Sequence, residues 1–120
     1  MARALITMPK SARLGEIIEV RALVQHAMET GYRRDSDGSM LQRDLIRRFS
    51  CSFAEAVRSD GTRAAPGTRV VFAATLHAAI AANPYFSFYF RAEKSGTLIF
   101  LWEGDNGFAH REQATLMVNA

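Results

Sequence analysis

Hydrophobic and polar residues alternate with a period of two wherever the chain shows a clear pattern, as half-buried strands require. In residues 85–93 the even positions are Phe86, Phe88, Phe90 and Ala92, while Tyr85, Ser87, Tyr89, Arg91 and Glu93 occupy the odd ones. One face of that strand is therefore dry and the other amphipathic. Lys94-Ser95-Gly96 marks a turn, and residues 97–103 (TLIFLWE) follow with strong β-formers. Glu103-Gly104-Asp105-Asn106-Gly107 is a second turn, since Asn-Gly accepts the positive φ angles of tight hairpins. Residues 108–118 then close an expected three-strand meander.

Upstream, residues 4–8 form a short strand stopped by Pro9, residues 10–15 turn the chain, and residues 16–24 make a β-branched strand. Residues 45–53 resume the alternation, with Phe49, Cys51 and Phe53 on one face and Arg48 on the other. Residues 54–69 hold Ser59-Asp60-Gly61 and Pro66-Gly67, a hairpin tip or mobile insertion. Residues 70–76 are a further strand. The alanine-rich run 73–83 has helical propensity, but its β-rich context and Asn83-Pro84 favour a strand followed by a short helical turn. About seven short strands separated by turns predict one all-β domain over residues 1–120, an immunoglobulin-like antiparallel β-sandwich. Trp102 is its expected core anchor, without the cysteine–tryptophan–cysteine signature of antibody domains.

The polar stretch 25–44, with Gly31, Gly38 and three aspartates, is long for a plain connection, and loops of that length tend to be functional or disordered. Its arginines dominate the charge balance. The 120 residues carry 15 cations against 12 anions, a formal +3, and thirteen of the cations are arginines. Arginine is the better bidentate partner for carboxylates, phosphates and sulfur oxyanions. Arg33, Arg34, Arg43, Arg47 and Arg48 stand against Asp35, Asp37 and Asp44. That surplus either attracts an anionic ligand or acidic partner or is a solvated surface whose charges pair locally; both readings stay open. Tyr85 and Tyr89 are likewise interface aromatics or ordinary surface tyrosines.

Hydrophobic residues are 48% and charged residues 22%, near the soluble globular average. No apolar run reaches the roughly 18 residues of a membrane-spanning helix, so no membrane role is expected. Residues 1–10 hold no secretory signal core as they stand, and composition alone points to the cytosol. A single cysteine rules out an internal disulfide and a cysteine-rich zinc site. Cys51 shares the face of Phe49 and Phe53, which predicts an inert buried thiol. His26, His77 and His110 show no metal-binding spacing, and the Asp35–Gly38 loop lacks the ligand spacing of a calcium loop. There is no phosphate-cradling loop, dinucleotide fingerprint or hydrolase elbow. Binding or scaffolding is favoured over catalysis, with no catalytic residue, metal or cofactor expected. Two rivals are a small nucleic-acid-binding β domain and a thiol enzyme using Cys51. The pI near 9.5 permits the first and the dispersed aspartates disfavour it.

Three separated segments carry a family resemblance. His26-Ala27-Met28-Glu29-Thr30-Gly31-Tyr32-Arg33-Arg34-Asp35 resembles the HPMETGxRxD loop of the SoxZ family, a subunit of the bacterial thiosulfate-oxidation system. Residues 76–86 (LHAAIAANPYF) resemble its LHPAIAANPY segment, and Ser95-Gly96-Thr97-Leu98 through Trp102 to Asn106-Gly107 its SGTL…W…DNG hairpin. The N-terminal Ala2-Arg3-Ala4-Leu5-Ile6 also fits. Ala27 and Ala78 replace prolines frequent in the family, and the stretch from Arg58 to Arg69 is longer than usual. The resemblance implies a non-catalytic subunit that pairs with SoxY, the chain whose cysteine holds the sulfur intermediates, and that makes transient contacts with the other Sox enzymes. It implies periplasmic residence through export with a signal-bearing partner, and no nucleic-acid partner. An uncovered apolar partner face would favour a homodimer in isolation. The candidate partner-binding residues are Met28, Glu29, Thr30, Gly31, Tyr32, Arg33, Arg34 and Asp35, with Met28 as an adaptable contact, Gly31 permitting a turn, Tyr32 as an anchor, and Arg33 and Arg34 steering acidic surfaces.

Overall fold

The computed structural model describes residues 3–26, 28–32, 34, 36–40, 42–55, 68–77 and 82–119. Within them run eight strands: β1 (Arg3–Thr7), β2 (Ser11–Arg13), β3 (Ile17–Gln25), β4 (Ile46–Glu55), β5 (Thr68–Thr75), β6 (Tyr85–Arg91), β7 (Gly96–Gly104) and β8 (Ala109–Asn119). They form a three-stranded sheet in the order β1-β3-β6 and a five-stranded sheet in the order β2-β8-β7-β4-β5. The all-β sandwich expected from the alternation is thus present.

The inward positions repeat every second residue. Ile18, Val20, Ala22 and Val24 on β3 face Phe49, Cys51 and Phe53 on β4 and Leu98, Phe100 and Trp102 on β7, all buried. Between the sheets the phenyl rings stack in pairs. Phe49 lies 4.5 Å from Phe86 at an interplanar angle of 7°, and Phe72 lies 4.6 Å from Phe88 at 2°. Each such pair adds about 0.5–1.5 kcal/mol beyond its buried area. Trp102 is fully buried, 5.1 Å from the Phe49 ring, the anchor its sequence position suggested.

Two expectations fail. Residues 85–118 do not form a three-strand meander: β6 pairs with β3 in one sheet, whereas β7 pairs with β4 and β8 in the other. Crossing the gap lets Phe86 and Phe88 meet Phe49 and Phe72, an arrangement that an in-plane hairpin could not provide. Buried Ala92 fixes the crossover, its N–H donating to the Glu16 carbonyl at 2.8 Å and its own carbonyl accepting from Gly15 at 2.6 Å. Residues 10–15 are not merely a turn, because Ser11–Arg13 pairs with Met117–Asn119 as β2, and in parallel. The sandwich is therefore mixed rather than wholly antiparallel. Three residues with one buried side chain, Ala12, give too little periodicity to register as a strand. The expected tip between β4 and β5 and most of the 58–69 insertion lie outside the described residues, as do residues 78–81 of the 73–83 run in which a short helical turn is expected.

Candidate functional site

The long connection between β3 and β4 folds back on itself. Glu29 and Asp44 exchange two backbone hydrogen bonds, at 2.9 and 2.8 Å, and Arg34 bridges Met40 further out. The segment is thus a nested loop, gathered at its base against the turns that follow β7 and precede β6.

At the β7 end the organiser is Asp105. Its carboxylate accepts from the Leu45 amide at 3.1 Å and from the Arg47 guanidinium at 3.1 Å, and it pairs with Arg43 at 3.4 Å. The Asp105 amide in turn donates to the Leu45 carbonyl at 2.8 Å. The Arg47 hydrogen bond, then the Leu45 amide and the charges of Arg47 and Arg43, hold the Asp105 carboxyl below the usual carboxylate range against the opposing effect of burial. Asn106 completes the seam, accepting from Gln42 at 3.2 Å and donating to the Arg43 carbonyl at 3.1 Å. Asn106 and Gly107 both have positive φ, 59° and 74°, as the Asn-Gly turn requires. A Cβ on Gly104 would strike the Leu45 carbonyl oxygen, so glycine is needed for this backbone approach.

At the β6 end the pair is His26 and Asn83. The His26 amide donates to Asn83 Oδ1 at 2.9 Å, and the Asn83 amide donates to the His26 carbonyl at 2.7 Å. Asn83 holds a left-handed backbone at φ 54°, which asparagine tolerates better than most residues. The His26 ring is buried edge-on to Phe108 at 5.0 Å. Its Nδ1 accepts from the Met28 amide at 3.0 Å, which places the ring proton on Nε2, 3.6 Å from Asp44 Oδ1.

Of the eight candidate partner-binding residues, Met28 enters the core with 5% exposure and a left-handed backbone, and its Sδ accepts from the Ile46 amide at 3.3 Å. Its place is that of an anchor for the loop. Glu29 and Thr30 are half-buried at the loop base. Gly31 turns the chain at φ 92°, and an added Cβ would lie 3.2 Å from Arg43 Cβ. Tyr32 projects outward, 85% exposed. The Arg34 guanidinium donates to the Gly38 carbonyl at 2.7 Å, closing the outer loop. Arg33 and Asp35 lie outside the described residues. The structure thus joins the first motif segment to the second through Asn83 and, by way of residues 42–47, to the third through Asp105. Asp105, Asn83 and Gly104 are legible in the sequence as turn and motif residues but not as anchors of the loop, because their partners lie about 60 residues away.

The remaining reactive groups do not converge on this end. Cys51 is fully buried, and desolvation pushes its thiol up to about 12. His77 is exposed, and His110 Nε2 meets Glu112 Oε1 at 2.9 Å. No cluster of three metal-ligating side chains occurs among the described residues. Nor, among them, is any helix long and apolar enough to cross a membrane.

A family model described as sulphur oxidation protein SoxZ matches residues 6–115. A search of curated proteins by sequence gave no match. Among solved structures, a superoxide reductase (neelaredoxin) from Ignicoccus hospitalis is similar at TM-score 0.69 and 16% identity, covering 97% of this chain and 80% of that one. The sulfur carrier protein SoxY from Chlorobium limicola f. thiosulfatophilum is similar at TM-score 0.59 and 13% identity, covering 98% of this chain and 79% of that one. A superoxide reductase from Nanoarchaeum equitans follows at TM-score 0.61 and 13% identity, covering 94% and 90%. At these identities the likeness is one of fold.

Proposed function

The chain belongs to the SoxZ family of sulphur oxidation proteins, and from that premise we propose that it is the non-catalytic subunit of a sulfur-carrier complex, binding a SoxY-type chain and helping to present its cysteine-bound sulfur intermediates to the enzymes of thiosulfate oxidation. The observation that carries this reading is the family match over residues 6–115, almost the whole chain. The chemistry of the one cysteine supports it. A fully buried thiol raised to about 12 supplies neither an accessible sulfur nor a thiolate at neutral pH, so the sulfur cargo rides elsewhere.

The loop around Gly31 and Tyr32, pinned at its base by Asp105 and Asn83, serves in this reading as a preorganised contact for the partner or for the enzymes it visits. Site of action is the periplasm, reached together with the partner chain. Native mass spectrometry of the chain co-expressed with a SoxY-type chain of the same source tests the proposal. A stable complex, with a thiosulfate-derived adduct on the partner's cysteine alone, is expected. Absence of a complex, or an adduct on Cys51, would overturn it. Fractionation of cells expressing both chains tests the location: the chain should be recovered with the partner in the periplasmic fraction, and its retention in the cytoplasm while the partner is exported would overturn the location.

A further inference from the structure

The three-stranded sheet packs one face on the core and turns the other outward in cross-strand rows. Register sets Leu5 opposite Leu23 and Leu23 opposite Tyr85, then Thr7 opposite Arg21 and Arg21 opposite Ser87, then Glu19 opposite Tyr89. Leu5, Tyr85 and Tyr89 are 62%, 55% and 71% exposed. The charge between the two tyrosines is already matched within the face. Glu19 accepts from Ser87 Oγ at 2.7 Å and from Arg21 Nε at 3.0 Å, and these contacts, the Ser87 hydrogen bond foremost, hold its carboxyl below the usual range. Covering such a pair leaves no charge without a counter-ion, which is the condition under which a buried ion pair is tolerated. Arg3 and Arg91 stand at the ends of the same face, both exposed.

The outward face of the five-stranded sheet differs. Ile99 and Leu101 stand there among Ser50, Ser52 and Thr97, Val70 is exposed on the neighbouring strand, and none of its described residues is a tyrosine. Serine and alanine are depleted from interface cores, whereas tyrosine and arginine are enriched and supply most hot spots.

We propose that the outward face of β1-β3-β6 docks the carrier chain, through a flat β-surface with an apolar centre and an acidic rim. This rests on the SoxY-partner reading above and names the surface that serves it. Charge selects the occupant. Three arginines, Arg3, Arg21 and Arg91, against the single Glu19 leave the face at net +2, so two copies of it would bring like charges together, whereas an acidic rim complements it. Tyr85 and Tyr89 are the anchors, Leu5 and Leu23 the apolar floor, and Arg3 and Arg91 the steering charges.

The test titrates the full chain with a purified SoxY-type chain of the same source and maps the wild-type complex by hydroxyl-radical footprinting. Tyr85→Ala and Tyr89→Ala are each expected to raise the dissociation constant about tenfold or more. Leu5→Glu should abolish binding, while Thr115→Glu on the opposite face leaves it unchanged. Arg91→Glu should slow association and flatten its dependence on ionic strength. Footprinting should protect Tyr85 and Tyr89 in the complex, a readout needing no variant. Wild-type binding with unprotected tyrosines and unaffected tyrosine variants would overturn the face and leave the partner standing. A homodimer that protects the same tyrosines without the carrier chain would overturn the occupant. Failure of the wild-type chain to bind at all would overturn the partner reading and this inference with it.

Discussion

Asp105 and Arg47, 58 residues apart in sequence, form a 3.1 Å hydrogen-bonded ion pair that ties the turn after β7 to the start of β4. The same carboxylate accepts the Leu45 amide, so one side chain satisfies a backbone donor and a cation together. A carboxyl whose folded pKa is depressed contributes stability above its unfolded value, about 4, and the contribution is lost as pH falls through the folded value. Thermal melts across the acid range should therefore show a falling midpoint in the wild type. Asp105→Asn should begin from a lower midpoint at neutral pH and lose less on acidification. Parallel acid limbs in the two proteins would refute the role of this carboxylate.

The Asn83 contact separates backbone strain from hydrogen bonding. Asn83→Ala loses the bond from the His26 amide and places alanine at φ 54°, and should cost about 1–2 kcal/mol in urea unfolding. Asn83→Gly loses the bond but relieves the backbone, and should recover part of that cost. Equal losses in the two variants would show that the left-handed conformation contributes nothing.

Gly104 admits no side chain. Gly104→Ala would drive a Cβ into the Leu45 carbonyl oxygen, which belongs to backbone that already bonds the Asp105 amide. A destabilisation of about 1–3 kcal/mol is expected, with weakened partner binding where the displaced loop takes part. Denaturant midpoints and binding isotherms check the two effects independently.

Cys51 should resist alkylation in the native protein and react once denaturant is added. Its thiol is raised to about 12 by burial, whereas the unfolded chain ionises near 8.5. The folded state thus holds a proton that the unfolded state releases, and stability should decline as pH rises through that range. Cys51→Ala, free of the titration, should lose that alkaline decline while costing about 1–2 kcal/mol of packing. Rapid modification of native protein at pH 8 would contradict the burial.

Gly31→Val tests the loop apart from the sandwich. Valine at φ 92° is strained, and its side chain would press on Arg43. The cooperative melt should survive, because the loop lies outside the stacked phenyl core, while affinity for the partner or its enzymes falls. Unchanged binding throughout would remove this loop from the interface.

The alternation in residues 45–53 and 85–93 was sufficient to assign Phe49, Cys51, Phe53, Phe88 and Phe90 to the interior, because a strand's side chains point to opposite faces by covalent geometry alone. The same local logic identified the Asn106-Gly107 turn. It could not tell which sheet β6 joins, since adjacent and crossed connections share one pattern of inward residues. Nor could it find β2, whose pairing with β8 is parallel and joins residues over a hundred positions apart. The loop's residues were visible as a motif, but its anchors were not. Met28, expected as an adaptable partner contact, lies in the core of the free chain, while Asp105 and Asn83 are turn and motif residues until their distant partners are known.

The sequence by itself determined an all-β chain, its inward faces, its inert thiol and its family, all of which depend on residue identity or short-range periodicity. The tertiary structure alone decided that three distant motif segments meet through His26, Asn83 and Asp105, and that Tyr85 and Tyr89 share an outward face with Leu5 and Arg21. Those are long-range pairings, whose choice depends on closing the core between two sheets rather than on any local preference.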